Sequence, residues 1–220
     1  MDNYFNDFLI DEGFSPAINT TPVDEDTLQR FQGLVPNRLL SYWEEYGFSG
    51  FGQGSFWTTN PQEYQSIIDR WIKNTSLWQR ENFFVVARTA FGELYIRGDR
   101  SNTTTIIDPH LNNIIPGDEL NEKFDLEKWD RCIGIFFSTK TKGNTDYFDK
   151  NEKPLFQRCL KKLGPLSHDE MYTFSPALAL GGSADIKNVK KVKIFEELSI
   201  LCDFDEPVVL PSANEIFGES

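Results

Sequence analysis

The stretch 163–182, LGPLSHDEMYTFSPALALGG, constrains this chain more than any other part of it. Gly164-Pro165 stops a helix arriving through Leu155, Phe156, Leu160 and Leu163, because proline has no amide to donate and crowds the preceding turn. The spacing Ser167-x-x-Glu170 reads as a capping box that opens a short helical turn. Residues 174–180 are mostly apolar and end at Gly181-Gly182, which predicts a buried strand running into a tight turn.

Around it the chain alternates short helices and short strands. Residues 1–34 form a lead-in broken by Ser15-Pro16 and Thr21-Pro22; its aromatics Tyr4, Phe5 and Phe8 predict that it docks on the body of the protein. Pro36 opens a helix that carries Leu39, Leu40 and Trp43 on one face and stops at Gly47. The segment GFGQG, 50–54, is a glycine loop without the Lys-Ser/Thr of a phosphate loop. Asn60-Pro61 caps a second helix with Tyr64, Ile67, Ile68 and Trp71 at helical spacing. Strands are expected at 83–90, 93–97, 103–107 and 112–115, in an antiparallel meander. Pro116-Gly117 marks a joint. Beyond it, helices are expected over 118–137 (Leu120, Phe124, Trp129, Ile133 and Phe137 inward), 152–163 and 194–201. Val189 and Val192 are strand-like, and an irregular tail holds Pro207 and Pro211. The fold class that follows is α+β: an antiparallel sheet flanked by helices, in two subdomains that can share one continuous core.

Charge separates the ends of the chain from its middle. The net charge is −12, yet residues 27–202 hold 22 acids against 22 bases. The excess is seven acids in 1–26, among them Asp24, Glu25 and Asp26, and five in 203–220. Nucleic-acid binding is disfavoured, because phosphate contacts need clustered Lys and Arg. A basic protein partner is favoured by complementary fields, with solubilising tails as the alternative. No apolar run approaches the ~20 residues of a membrane span. The acidic N-terminus lacks the basic region of a signal peptide, so a cytoplasmic protein is expected.

Catalytic chemistry finds little to stand on. His110 follows Asp108-Pro109 in a turn, and His168 sits inside the Ser167 box; both are expected at the surface, without metal spacing. Cys132, Cys159 and Cys202 are widely spaced in apolar helical contexts and read as free thiols. No nucleophile motif occurs, and adjacent acids such as Glu44-Glu45 and Glu196-Glu197 do not face each other on a helix. No enzyme activity, metal or cofactor is therefore expected. The aromatics Tyr42, Trp43, Tyr46, Phe48, Phe51, Phe56 and Trp57 are core in the simpler reading and a binding surface in the other.

LGPL, DEMYTFSPALALGG and NVKKVKIFEELSIL resemble the C-terminal domain of immunity proteins that protect bacteria from DNase effectors of type VI secretion. Residues 35–72, VPNRLLSYWEEYGFSGFGQGSFWTTNPQEYQSIIDRWI, are similar to the start of the GAD-like domain those proteins carry. The charge distribution sets off an acidic lead-in over 1–34 and an acidic tail over 205–220, and the resemblance implies a GAD-like domain over 35–116 and an immunity domain over 117–204; the long tail departs from what the family would give. The resemblance also implies a partner, a cognate DNase toxin held by a monomer without direct nucleic-acid or membrane contact. The toxin contacts expected are Asp24, Glu25, Asp26, Glu45, Tyr46 and Gln53, with Asp169, Glu170, Met171 and Tyr172 as an acidic-aromatic surface knob. The competing reading is a small-molecule-binding or enzymatic α+β domain, its pocket lined by the aromatic-glycine segment 46–57.

Overall fold

Alternation along the central strands decides the architecture. In the computed structural model, which describes residues 2–101, 103–117 and 125–218, the chain begins with α1 (Asn3–Asn6) and a π-turn at Asp7–Asp11. It continues through β1 (Ile18–Thr21), α2 (Glu25–Phe31), α3 (Asn37–Tyr46), the hairpin β2 (Phe48–Phe51) and β3 (Phe56–Thr58), and α4 (Pro61–Ile72). Four strands follow: β4 (Phe83–Thr89), β5 (Leu94–Gly98), β6 (Thr104–Asp108) and β7 (Asn113–Ile115). Then come α5 (Leu126–Ser138), α6 (Phe156–Leu163), β8 (Glu170–Phe174), β9 (Val189–Lys193), α7 (Ile194–Cys202), β10 (Val208–Val209) and α8 (Ala213–Phe217).

Strands β1 to β7 and β10 form one sheet in that order, antiparallel throughout except for the parallel pair β7–β10. Successive residues serve opposite faces. Phe84, Val86 and Tyr95 join a core with Phe5, Phe8, Trp43 and the α5 residues Ile133 and Phe137. Phe83, Val85, Leu94 and Ile96 join another with Ile68 and Trp71 of α4 and Leu198 and Leu201 of α7. Helices from both sides of the Pro116-Gly117 joint thus contribute to the same cores. Each buried aromatic or aliphatic side chain contributes roughly 1.5–3 kcal/mol. The lead-in docks as its aromatics predict: Phe5, Phe8 and Phe14 are fully buried, and Phe8 stacks on Phe14 at 4.4 Å.

Several local expectations are corrected. Ser167 and Glu170 do meet, the Ser167 amide donating to Glu170 Oε2 at 2.9 Å, but they close a turn into β8 instead of opening a helix. The strand lies at Glu170–Phe174, not 174–180, because Lys190 to Lys193 of β9 supply its hydrogen-bonding partners. After Phe174 the chain turns through a 3-10 segment, Leu178–Leu180, and Gly181 adopts φ +81°. Segment 50–54 is the tip of the β2–β3 hairpin, where Gln53 is exposed and its flanking glycines are buried. The tail is not irregular: β10 extends the sheet beside β7, and the Asn112 side chain donates to the carbonyls of Asp205 and Glu206. Leu120 and Phe124 lie outside the described residues, and α5 is described from Leu126.

Candidate functional site

One cleft brings together the lead-in, the sheet and the 163–182 stretch. The end of β1 and the loop after it supply Thr21 to Asp24, β3 supplies Trp57 and Thr58, and the N-terminal end of α4 supplies Asn60, Glu63 and Tyr64. Arg88 of β4 and His168 of the turn before β8 complete a cavity of about 160 Å³. The local sequence explains each position. Asn60 caps α4 by accepting from the Gln62 amide, with Pro61 as first residue, so Glu63 and Tyr64 face the opening from the first turn. Asp24 caps α2 in the same way, accepting from the Thr27 amide at 2.7 Å; the Thr27 hydroxyl and then this amide hold its pKa below the ordinary value.

Arg88 is the unusual group there. It pairs directly across the sheet with Trp57, and its guanidinium lies 4.8 Å from the indole centre. Its side chain is fully buried. Nη1 donates to the Thr89 carbonyl at 3.2 Å, and Nη2 donates to the His168 carbonyl at 2.8 Å. Nε has no acceptor among the described residues. Burial lowers the guanidinium's pKa, offset partly by Tyr64 and by Asp169. An arginine stays charged even so. The Asp169 carboxylate is engaged by Lys193.

A second polar cluster lies within the fold. His110 is fully buried, both ring nitrogens without a partner among the described residues, and wedged edge-on against Tyr147 and Phe174. This overturns the expected surface position. The turn itself forms as expected, with Asp108 accepting from the amides of His110 and Leu111, but Tyr147 and Phe174 pack over it. Tyr147 donates to both Asp108 oxygens, at 2.5 and 2.6 Å. The Phe91 and Tyr172 carbonyls lie near enough to favour a charged ring, yet neither has hydrogen-bond geometry with a ring nitrogen. Burial dominates and pushes the imidazole down to about 4. Burial also raises Glu93 to about 7 and lowers Lys140 to about 8.

The remaining expected contacts are scattered. Glu25 and Asp26 are exposed on the first turn of α2. Glu45 is exposed at the end of α3, and Tyr46 is half-buried, packing 4.8 Å from Phe5. Gln53 accepts from Gln157 across the hairpin tip at 3.1 Å. Glu170 is ion-paired with Lys191 at 3.5 Å. Met171 and Tyr172 are fully buried, so no aromatic knob exists there. Met171 packs under Gly92, and the Tyr172 hydroxyl donates to the Gly164 carbonyl at 2.6 Å. Of the contacts expected from sequence only Asp24 lines the Arg88 cleft, although Phe48 and Trp57 bring the ends of segment 46–57 to its wall. Arg88 was absent from the expected set. Its signal was an arginine inside VVARTA, a strand otherwise apolar enough to be buried.

Two grooves flank α3. Glu25 and Glu44 line one, with Leu28 and Leu40 between them. Asp2, Glu45 and Asp130 line the other, with Arg38 as its base. Among the described residues, no group of three or more His, Cys, Asp or Glu is placed to hold a metal, and no helix is long and apolar enough to cross a membrane.

Residues 3–111 match the GAD-like domain family, and residues 133–205 match the family described as T6SS immunity protein Tdi1, C-terminal. Compared with curated proteins, the chain has no match. Among solved structures it is similar to the crystal structure of Atu4351 from Agrobacterium tumefaciens. The TM-score is 0.82 at 23% identity, covering 95% of this chain and 92% of that one, a likeness of fold.

Proposed function

We propose, from the premise that this chain joins a GAD-like domain to the C-terminal domain of the T6SS immunity protein family, that it binds and neutralises a cognate DNase toxin. The single observation that carries the reading is the family match over 133–205. The DNase target and the means of inhibition rest on charge. A nuclease presents a basic surface to DNA, and an acidic ligand competes for it with steering that weakens as salt rises.

The acidic surface best placed for this is the outer side of α2 and α3. Asp24, Glu25, Asp26, Glu44 and Glu45 lie there, with Asp2 and Asp130 beside them, and Tyr46 ends the same helix. Asp2 is held by Arg38 and by the Tyr42 hydroxyl, which fixes the edge of the patch. Asp169 and Glu170 are weaker contacts, because Lys193 and Lys191 already neutralise them. Gln53 adds a polar contact without charge. Two acids of the tail already have partners at the far end of α4: Arg70 in its last turn pairs with Asp203, and Asn74 just beyond it donates to Glu206.

The test is a titration of the nuclease encoded beside this protein. Reversing Asp26, Glu44 and Glu45 to Lys should weaken inhibition at least tenfold at low salt, while deletion of 211–220 should leave it intact. Full inhibition by the reversed variant, with loss on tail deletion, would move the contact to the tail. Turnover of a substrate by the purified chain, or indifference to the neighbouring nuclease, would sink the reading. Deleting 1–26 is no test, since it removes Phe5, Phe8 and Phe14 from the core.

A further inference from the structure

We infer that the Arg88 cleft binds a small zwitterion, its carboxylate on the guanidinium and its cationic group toward Asp24 and Glu63. This goes beyond the immunity reading and does not rest on it. A buried guanidinium is costly unless something negative meets it. Arg88 has two carbonyls, an indole face and a neighbouring tyrosine, but no carboxylate bonded to it. A purely structural brace between β4 and the His168 turn accounts for Nη1 and Nη2. It leaves Nε, itself buried, without an acceptor among the described residues, on a side chain that lines the cavity.

The lining selects the class of ligand. The floor is cationic and the rim carries two carboxylates, Asp24 and Glu63, so a simple anion would be attracted by one and repelled by the others. A carboxylate with an ammonium or guanidinium a few bonds away satisfies all three. Thr58, Thr59 and Asn60 add hydroxyl and amide groups to the wall, and Trp57 adds a flat apolar side. A cavity of about 160 Å³ limits the ligand to a small molecule, with its longer part at the open rim. The same pairing of charges could be presented by a partner protein's side chains, and the experiment separates the two sources.

The full-length protein is titrated with L-arginine, L-lysine, acetate and lysine amide, following the Trp57 indole resonance and heat. The zwitterions should bind at least tenfold more tightly than acetate or the amide. Asp24→Asn keeps the helix cap, since Asn caps as well as Asp. Combined with Glu63→Gln it should cost the zwitterions about tenfold and leave acetate unchanged or improved. Arg88→Met should abolish binding. If that variant does not fold, Tyr64→Phe, expected to weaken carboxylate binding severalfold, takes its place. If no free ligand binds, but Glu63→Gln alone, at a residue outside the acidic α2–α3 surface, weakens toxin binding at constant fold, the group comes from the partner. No saturable binding of any probe, together with unchanged toxin affinity in that variant, overturns the inference. Toxin inhibition by the wild type is measured alongside, so failure here leaves the immunity reading standing.

Discussion

Replacing His110 by Phe should stabilise the protein more in acid than at neutral pH. The ring is fully buried, neither nitrogen has a partner among the described residues, and burial holds its pKa near 4 against 6.5 in the ordinary case. A depressed base contributes nothing adverse above pH 6.5, where it is neutral folded and unfolded. As pH falls toward 4, the unfolded chain takes a proton that the folded chain refuses, at about 1.4 kcal/mol per pH unit. At pH 5.5 the wild type has therefore lost about 1.4 kcal/mol that the Phe variant keeps. For a chain of 220 residues that is roughly 3–5 °C in Tm. The pH dependence of the wild type alone would hide this. Glu93 and Asp146 are raised, to about 7 and about 6, so the stability they contribute is complete in acid and lost as pH rises through those values. The variant-minus-wild-type difference cancels both. Urea denaturation at pH 7.5 and pH 5.5 measures it. An increment equal at the two pH values would show that the imidazole titrates normally and that the burial argument is wrong.

Gly92→Ala should destabilise by about 1–3 kcal/mol, seen as a lower Tm, because φ is +80° and the new Cβ would run into the buried Met171 Cε. Affinity for the toxin should fall as salt rises from 50 to 500 mM, mostly through the association rate; a salt-independent rate would contradict the acidic-surface reading. Deleting residues 207–220 removes β10 and leaves β7 as the sheet edge, so a modest loss of stability is expected without loss of inhibition, checked by thermal melts beside nuclease assays.

The meander of β4 to β7 and helices α3 and α4 were legible in the chain because their signals are local. Asn60-Pro61, Gly47 and Phe91-Gly92 act on the backbone beside them, and the apolar stripes of Leu39 and Trp43, or Ile68 and Trp71, need no distant partner to be recognised. The family resemblance was legible for the same reason, as contiguous text. Errors arose where one local pattern serves two structures. Ser167-x-x-Glu170 makes one arm of the box, Ser167 amide to Glu170 carboxylate, while the Glu170 amide goes to the Ser167 carbonyl in a turn before a strand; β9, some twenty residues on, decided the outcome. Met171 and Tyr172 looked like a knob because acids precede them, whereas strand alternation and Gly92 put them inside.

The amino-acid order by itself determined helices α3 and α4 and the meander of β4 to β7, that the charge excess lies at the ends, and which family the chain resembles. Tertiary structure alone decided that the tail joins the sheet as a parallel strand, that His110 is sealed between two rings, and that Arg88 meets the His168 turn beneath Asp24 and Glu63. Those outcomes depend on contacts between residues dozens of positions apart. Loop closure and burial set such contacts, and a local stretch of chain carries no record of what will cover it.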